Sequence, residues 1–364
     1  MRILHVVQSW NTNIGGSLIV ARALVKAQRN LGVDARVVSL YVNSVDAEKT
    51  SRESYEISCA IPRKARWTRG IVSLRQVIKK FQPDLIHHHD GIMWPRLACI
   101  GLGIPRVSHG HLGACVSNPF SSSWWTHQLA KLTTNHLIAI SKWVAQSWTD
   151  SGMSESKITL IPNGVDTERF YKRPDSVRSI IRKRYGIMDG ETLLVWAGRL
   201  DMNTKGLDRL VKLSKDLPCP VRLIIIGDGP DGPWLKNSFL DLALSPPPIF
   251  TGLLEDPSDI FGSADAFVLT SRTESFGLVL LEAASSSLPI YAFPCQGGGN
   301  ELLDELQAYR AADADYSGLA DAISHKLGIL PSNCQAMIQE RYSWKTGSIA
   351  SLEVYKKVLA ASAR

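Results

Sequence analysis

The chain has 364 residues, of which 45% are hydrophobic, and its mean hydropathy is −0.03. This composition is typical of a soluble globular protein, and no apolar run reaches the length of a membrane-spanning helix. The net charge of +7 is concentrated in the first half, because residues 1–170 carry 20 Lys and Arg against 11 Asp and Glu.

The length and the order of the predicted elements indicate the architecture. A chain of this size is longer than one hydrophobic core usually supports, so we expect two domains. Predicted strands and helices alternate throughout, which favours an α/β fold with parallel sheets. The chain starts with a strand and its cysteines include no CxxC pair, so we expect a cytoplasmic protein without a signal peptide or a disulfide framework.

The first predicted elements are a strand over 3–7, a helix, and a strand over 35–40. The loop before the helix ends in Gly15-Gly16, which suits contact with a phosphate and equally suits a tight turn or close helix packing. The apolar residues that predict the buried face of the helix are Ile19, Ala23, Leu24, Ala27 and Leu31.

The stretch 61–82 is basic, amphipathic and free of acidic residues. An apolar stripe from Ile71 to Phe81 falls on one helical face. Such a helix binds an anionic bilayer, or it packs on the core with its charges in solvent, and the sequence leaves both open. No nucleic-acid module is recognised, so we do not expect nucleic acid as a partner. The membrane or acceptor candidates in this stretch are Arg63, Lys64, Arg66, Trp67 and Arg69.

Two histidine motifs lie in the next predicted strands. In the strand over 84–89, alternation places His88 on the opposite face from His87 and His89. No further ligands follow at metal spacing, so we expect structural roles rather than a metal site. His109 lies at the carboxyl end of a later strand, where open α/β sheets bind ligands.

The end of the first half contains a tryptophan pair and a turn. For Trp124 and Trp125 core packing is favoured over an acceptor platform or a membrane anchor. Pro162 opens a turn that is followed by charged, aperiodic residues, which predicts the linker between the domains. We therefore expect one domain over 1–170 and a second over 171–343.

The second half restarts with a strand over 193–197 that leads into Gly198 and Arg199, and Lys205 precedes the next helix. Cations at the top of a strand can hold a diphosphate, Arg through a fork and Lys as a point charge, although two unrelated surface cations are the alternative.

A strand over 221–226 then runs into Gly227 and Asp228. A flat ring can approach the backbone of such a glycine turn.

The stretch 269–287 carries the densest combination of signals. An apolar strand runs through a short polar loop into an apolar helix, which directs free backbone N–H groups and the positive end of the helix dipole at one point. Glu274 lies in the loop, Phe276-Gly277-Leu278 begin the helix, and Glu282 lies two turns inside it. An acidic first turn followed by an ordinary helix Glu is the alternative.

These motifs, in this order, resemble the retaining glycosyltransferases of the GT-B fold, the large family four (glycosyl transferases group 1). The resemblance covers most of the chain. The motifs are GGS at 15–17, HG at 109–110, IPNGVD at 161–166, GRLDMNTKG at 198–206, GDGP at 227–230 and the E-x7-E signature from Glu274 to Glu282.

The resemblance implies two Rossmann-like domains facing each other across a cleft, with a helix over 344–364 returning to the first domain. It implies that Glu274 contacts hydroxyls of the donor sugar, that Glu282 contacts the ribose, and that His109 reaches the sugar from the first domain. Arg199 and Lys205 would neutralise the leaving diphosphate. Gly15, Gly16, Gly198, Gly227, Asp228 and the N–H groups of Phe276, Gly277 and Leu278 would complete the donor site.

The expected reaction is transfer of a hexose from a UDP- or GDP-sugar to a glycan or lipid-linked glycan of bacterial envelope polysaccharide or lipopolysaccharide, with peripheral attachment to the membrane as an option. No metal or other cofactor is expected, because Asp313 and Asp315 precede a helix and suit capping. The alternatives are a phosphorylase or nucleotide-sugar epimerase of the same fold, and a non-catalytic membrane-surface binding module.

Overall fold

The computed structural model describes residues 1–9, 16–41, 54–59, 69–89, 93–114, 122–218 and 220–363. The chain forms two compact units, Met1–Asn163 with Trp344–Arg364, and Gly164–Ser343. From the sequence, we expected the boundary between the two domains after residue 170. Within the described ranges, no helix is both long and apolar enough to cross a membrane.

The first unit contains a seven-stranded parallel sheet with helices on it. Its elements in chain order are β1 Arg2–Ser9, α1 Ser17–Asn30, β2 Asp34–Tyr41, β3 Glu56–Ser58, α2 Ile71–Phe81, β4 Leu85–His88, α3 Met93–Ala98, β5 Arg106–Gly110, α4 Ser122–Thr133, β6 His136–Ala139, α5 Lys142–Asp150 and β7 Ile158–Leu160. The strand order is β3-β2-β1-β4-β5-β6-β7. The order reverses between β1 and β4, and open α/β sheets bind ligands at the carboxyl ends of such strands.

The second unit repeats this architecture with six parallel strands. Its elements are α6 Asp175–Arg184, β8 Thr192–Ala197, α7 Met202–Lys205, α8 Leu207–Asp216, β9 Val221–Ile226, α9 Gly232–Leu242, β10 Ile249–Gly252, α10 Ser258–Ser263, β11 Ala266–Leu269, α11 Leu278–Ser285, β12 Ile290–Ala292, α12 Gly299–Glu305, β13 Tyr309–Arg310, α13 Tyr316–Ser324 and α14 Cys334–Arg341. The strand order β10-β9-β8-β11-β12-β13 reverses between β8 and β11. The predicted α/β class with parallel sheets is confirmed.

The last helix, α15 (Trp344–Ser362), belongs to the first unit. Its Val354, Tyr355 and Val358 are buried in the same apolar cluster as Leu18 and Ala21 of α1. This packing explains an error in the predicted face of α1. Ile19 and Leu31 are exposed at 47% and 38%, because the helix turns Leu18, Ala21, Val25 and Gln28 towards the sheet and α15.

The amphipathic helix α2 packs on the other apolar cluster of the first unit. Leu74, Ile78 and Phe81 are buried in that cluster, while Lys79 and Lys80 are exposed. The apolar stripe is therefore occupied by the core and is not available to a bilayer. Arg75 donates to the backbone oxygens of Ala98 and Ile100, at 3.0 and 2.9 Å.

Candidate active site

The second unit places its predicted site residues around the point where the strand order reverses. Gly198 and Arg199 directly follow β8, and the loop with Glu274 follows β11. Since parallel strands end at one edge of the sheet, β8 and β11 bring these loops side by side. The pairing of β8 with β11 therefore brings together loops that are about seventy residues apart in the sequence.

Glu274 is buried and held by charge-assisted hydrogen bonds. The residue is 8% exposed, and its Oε1 accepts from Lys205 Nζ at 2.5 Å and from Ser271 Oγ at 2.6 Å. A buried carboxylate without such partners would be strongly unfavourable. The Lys205 ammonium has three donors, so it can hold Glu274 and still donate to an anion. Ser271 was not identified from the sequence, where it is one of several small polar residues.

The loop after β12 fixes the backbone on either side of this carboxylate. Glu274 N donates to Gln296 O, and Gly299 N donates to Glu274 O, both at 2.9 Å. A Cβ on Gly299 would lie 2.5 Å from the Glu274 Cβ, so only glycine fits there. The glycine run 297–299 is therefore a cradle for Glu274.

The cations around the site differ in how they are engaged. The Arg199 side chain is exposed, and it forms no hydrogen bond or ion pair with the side chain of any described residue, although its charge helps to lower the pKa of Asp201. Two other arginines are already paired. Arg272 forms a 2.7 Å ion pair with Asp208, and Arg209 forms a 2.7 Å ion pair with Asp313. Arg199 is thus available to an incoming anion.

A cavity of about 420 Å³ lies beside these paired arginines. Its walls include Asn203, Arg209, Arg272, Cys295 and Gln296, and they do not include Lys205 or Glu274. Since both of its arginines are already neutralised by carboxylates, the cavity adds no free cation to the site.

The start of α11 offers backbone donors to the site. Phe276 is buried, Gly277 has φ +91°, and the helix begins at Leu278 without a side-chain cap. The first N–H groups of a helix lack intrahelical partners and favour an anion. The predicted strand, loop and helix of this stretch are present, with the helix beginning two residues later than the change of pattern at Phe276.

Glu282 lies in the middle of α11 and is partly buried. Burial raises the pKa of its carboxyl group to about 7, while Arg169 lowers it and Asp256 raises it. Arg169 and Asp256 form a 3.0 Å ion pair, so the positive charge near Glu282 is already shared. The Glu282 carboxylate, whose neighbouring cation is already paired, can accept hydrogen bonds from a ligand.

The glycine turn after β9 has a structural explanation. A Cβ on Gly227 would lie 1.9 Å from the backbone oxygen of Gly198, so the close approach of the two strand ends requires glycine. Asp228 Oδ1 accepts from the Gly229 N–H at 2.8 Å. The role of Gly227 and Asp228 in binding the donor stays a prediction.

The histidines, for which the sequence predicted structural roles, come together from three strands of the first sheet. His5 on β1, His87 and His89 on and after β4, and His109 and His111 on and after β5 meet on one face of the first sheet, with neighbouring ring centroids 4.4–5.4 Å apart. We call these five residues the histidine cluster.

Ring nitrogens of two trios in this cluster lie within 4.8 Å of one another, which is close enough to share a metal ion: His5, His87 and His89, and His89, His109 and His111. Spacing along the sequence could not reveal these sets, because their members come from three strands.

His88 lies on the opposite face, as alternation predicted, where burial and the nearby Arg96 and Arg106 lower its pKa. His109, the predicted sugar contact, is buried, and its Nε2 has no hydrogen-bond partner among the described residues.

The other candidates of the first unit have mixed outcomes. The tryptophans are not in the core, since Trp125 is 50% exposed and Trp124 is partly buried against it. Gly16 precedes α1 without a side-chain cap, and Arg69 is exposed. Gly15, Arg63, Lys64, Arg66 and Trp67 lie outside the described residues.

Two family models match the chain in succession. The model described as Glycosyltransferase Family 4 matches residues 14–169, and the model described as Glycosyl transferases group 1 matches residues 191–328. Together they span about four fifths of the chain.

Two curated relatives have similar sequences. A sulfoquinovosyl transferase of Arabidopsis thaliana is 32% identical over 63% of this chain and 46% of its own length. A GDP-mannose-dependent alpha-mannosyltransferase of Corynebacterium glutamicum is 26% identical over 84% of this chain and 75% of its own length. The chain spans about half or less of the length of the first curated relatives it matches.

The crystal structure of Anabaena HepE in complex with UDP-glucose superimposes with a TM-score of 0.84, at 21% identity, over 98% of this chain and all of that one. At this level of identity the match shows a shared fold.

Proposed function

Because the chain belongs to the family-four, group 1 glycosyltransferases and has the GT-B fold, we propose that it transfers a hexose from a nucleotide-diphosphate sugar to an acceptor hydroxyl. The observation that carries this proposal is the buried Glu274 held by Lys205 and Ser271 beside the uncapped start of α11. A carboxylate, a cation and free backbone N–H groups at one strand end suit a ligand with both hydroxyls and a diphosphate.

The chemistry of the proposal follows from the charges that develop. Breaking the bond between sugar and diphosphate adds negative charge to the phosphate and positive charge to the sugar ring. Lys205, Arg199 and the start of α11 stabilise the phosphate, since they are positive before the reaction begins. Glu274 accepts hydrogen bonds from sugar hydroxyls and orients the ring, and Glu282 accepts from the ribose.

We propose that the reaction proceeds with retention at the anomeric carbon. Glu274 is engaged by two donors, Lys205 and Ser271, which suits an orienting group better than a nucleophile. The leaving phosphate oxygen then takes the proton of the acceptor hydroxyl, and the acceptor bonds to the same face of the sugar that the diphosphate leaves.

For the acceptor we propose a glycan carried on a lipid at an anionic membrane surface in the cytoplasm. Support comes from the excess of cations in residues 1–170 and from the exposed Lys79 and Lys80 on α2. The apolar stripe of α2 takes no part, so attachment would be electrostatic and sensitive to salt. Vesicles with anionic lipid should carry the protein in flotation at low salt, and K79E/K80E should weaken this more than K356E/K357E, which changes the charge equally.

The donor is tested by thermal shift against UDP, GDP and ADP sugars, with and without EDTA. A ligand that binds only the folded state raises Tm. We expect one nucleotide to raise it regardless of EDTA, and K205M to abolish the shift, while K215M, at an exposed lysine on α8, should leave it intact. No shift with any nucleotide would favour a binding module over an enzyme.

Product analysis then separates the enzymes that share this fold. NMR of the product should show the sugar attached to the acceptor with the donor's anomeric configuration. Inverted configuration would refute retention. Free sugar phosphate would identify a phosphorylase, and an epimerised nucleotide sugar an epimerase.

A further inference from the structure

One arm of a hydrogen-bond network runs from Gln28 of α1 through the histidine cluster. Gln28 Oε1 lies 2.9 Å from His5 Nε2, His5 Nδ1 lies 2.8 Å from His89 Nε2, and His89 Nδ1 lies 3.1 Å from His111 Nε2. An amide oxygen only accepts, so His5 carries its proton on Nε2. His5 Nδ1 then accepts from His89 Nε2–H, and His89 Nδ1 accepts from His111 Nε2–H.

The second arm runs from the same amide in the other direction. Gln28 Nε2 donates to Tyr355 Oη at 3.2 Å, and Tyr355 Oη lies 2.6 Å from His87 Nδ1. Because its oxygen receives the amide proton, the Tyr355 hydroxyl donates to His87 Nδ1. His87 therefore carries its proton on Nε2 and donates to His109 Nδ1, 3.3 Å away.

Each imidazole in the network carries a single proton. Burial lowers the pKa of all five rings, to about 4 for His5 and about 3 for His111. Burial also raises the pKa of Tyr355, which keeps its hydroxyl as a donor. With one donor and one acceptor on each ring, all bonds of an arm must run the same way, so the orientation of the Gln28 amide sets every tautomer.

The second arm ends at an atom without a partner. Its direction leaves His109 with a proton on Nε2, and this nitrogen has no hydrogen-bond partner among the described residues. The side-chain oxygen of Asn163 is also buried and without a hydrogen-bond partner among the described residues, and Asn163 raises the pKa of His109 against the larger lowering effect of burial. An unused buried donor is available to a ligand oxygen.

We propose that Gln28 and Tyr355 are positioning residues that fix His109 as an Nε2–H donor towards the ligand. That the ligand is the donor sugar rests on the proposed function, whereas the tautomer is a property of the free protein. Reversing the Gln28 amide would reverse both arms and turn His109 Nε2 into an acceptor, so one buried amide decides which hydrogen bond the site offers.

The test replaces the amide by a group with a different donor pattern. In Q28E the carboxylate accepts from both His5 and the Tyr355 hydroxyl, so Tyr355 no longer donates to His87. His87 then carries its proton on Nδ1, and His109 changes from the Nε2–H to the Nδ1–H form. Y355F removes the hydroxyl and should leave His109 as a mixture of both forms.

The measurement is long-range proton–nitrogen NMR of histidine-labelled protein, with the His109 signals assigned from H109Q. Wild type and H136Q, a histidine outside the network, should show the Nε2–H form. An Nδ1–H form in wild type, or an unchanged His109 in both Q28E and Y355F, would overturn the proposal. Near-UV circular dichroism identifies variants that fail to fold. If Q28E fails to fold, Y355F, which loses only one oxygen atom, provides the test.

Kinetics and metal analysis complete the test. In a transferase assay Q28E should lower kcat by about 100-fold, the usual effect of losing one aimed donor, with the donor KM nearly unchanged. If no transfer is found at all, the tautomer result still decides the proposal. Stoichiometric zinc in the purified protein, lost in H89Q, would overturn it, because a metal would take the ring nitrogens that the network uses.

Discussion

Replacing Glu282 with Gln tests the donor site through its charge. Burial raises the pKa of this carboxyl group from 4.5 to about 7, so near neutral pH it is about half protonated in the free protein. If ribose hydroxyls donate to the ionised form, the protein must release a proton before it binds. The ionised fraction is about tenfold larger at about pH 8 than at about pH 6, and the affinity of wild type should rise by about the same factor.

The assay is isothermal titration with the nucleotide sugar identified by thermal shift. A nucleotide sugar is preferable to a free nucleoside diphosphate, whose terminal phosphate itself titrates at about pH 6. E282Q should bind weakly and with little dependence on pH, and wild type should release a proton that buffers of different ionisation enthalpy reveal. Equal pH dependence in wild type and E282Q would refute the assignment of Glu282.

The same shift makes a prediction about stability. The carboxyl group of Glu282 has a pKa near 4.5 in the unfolded chain and about 7 in the folded protein. Between these two pH values the unfolded chain has lost the proton and the folded protein still holds it. Rising pH therefore favours the unfolded state, and the folded protein loses stability over this range. The shift corresponds to about 3 kcal/mol above neutral pH, and the loss of stability is smaller than this because the side chain is partly exposed. E282Q should therefore have a higher Tm than wild type at about pH 8 and a similar Tm near about pH 4.

Three further substitutions probe the supports of the site. K205M should lower Tm and reduce turnover at least about 100-fold, because it leaves Glu274 buried with only Ser271 as a side-chain donor; a variant as active as wild type would remove Lys205 from the mechanism. G299A should destabilise the protein by about 1–3 kcal/mol and lower turnover, because the new Cβ would collide with the Cβ of Glu274. The control is G347A in α15, where the new Cβ meets no atom closer than 3.7 Å. This variant should have unchanged or increased stability in denaturant unfolding. D315A should lower the free energy of unfolding by about 1 kcal/mol, because Asp315 Oδ1 caps α13 by accepting from the Gly318 N–H at 3.0 Å. The activity of D315A should match that of wild type with or without EDTA. A loss of activity that added metal restores would contradict the capping assignment.

The sequence alone determined the features that depend on near neighbours. Alternation of apolar runs gave the α/β class, and the stretch 266–287 folds as the predicted strand, loop and helix. The cap at Asp315 and the apolar stripe of α2 were predictable for the same reason, since capping bonds and helical periodicity join residues only a few positions apart, whereas burial of the stripe in the core was one of two options that the sequence left open.

The tertiary structure alone decided which distant residues meet. Pairing of β8 with β11 brings Lys205 to Glu274, and the register of β1 with β4 sets His5 opposite His87. Gln28 gave no signal because a single polar residue on an apolar helix face has meaning only once Tyr355 of α15 packs against it. Strand order and helix packing come from burial summed over whole units, which no local pattern of residues encodes.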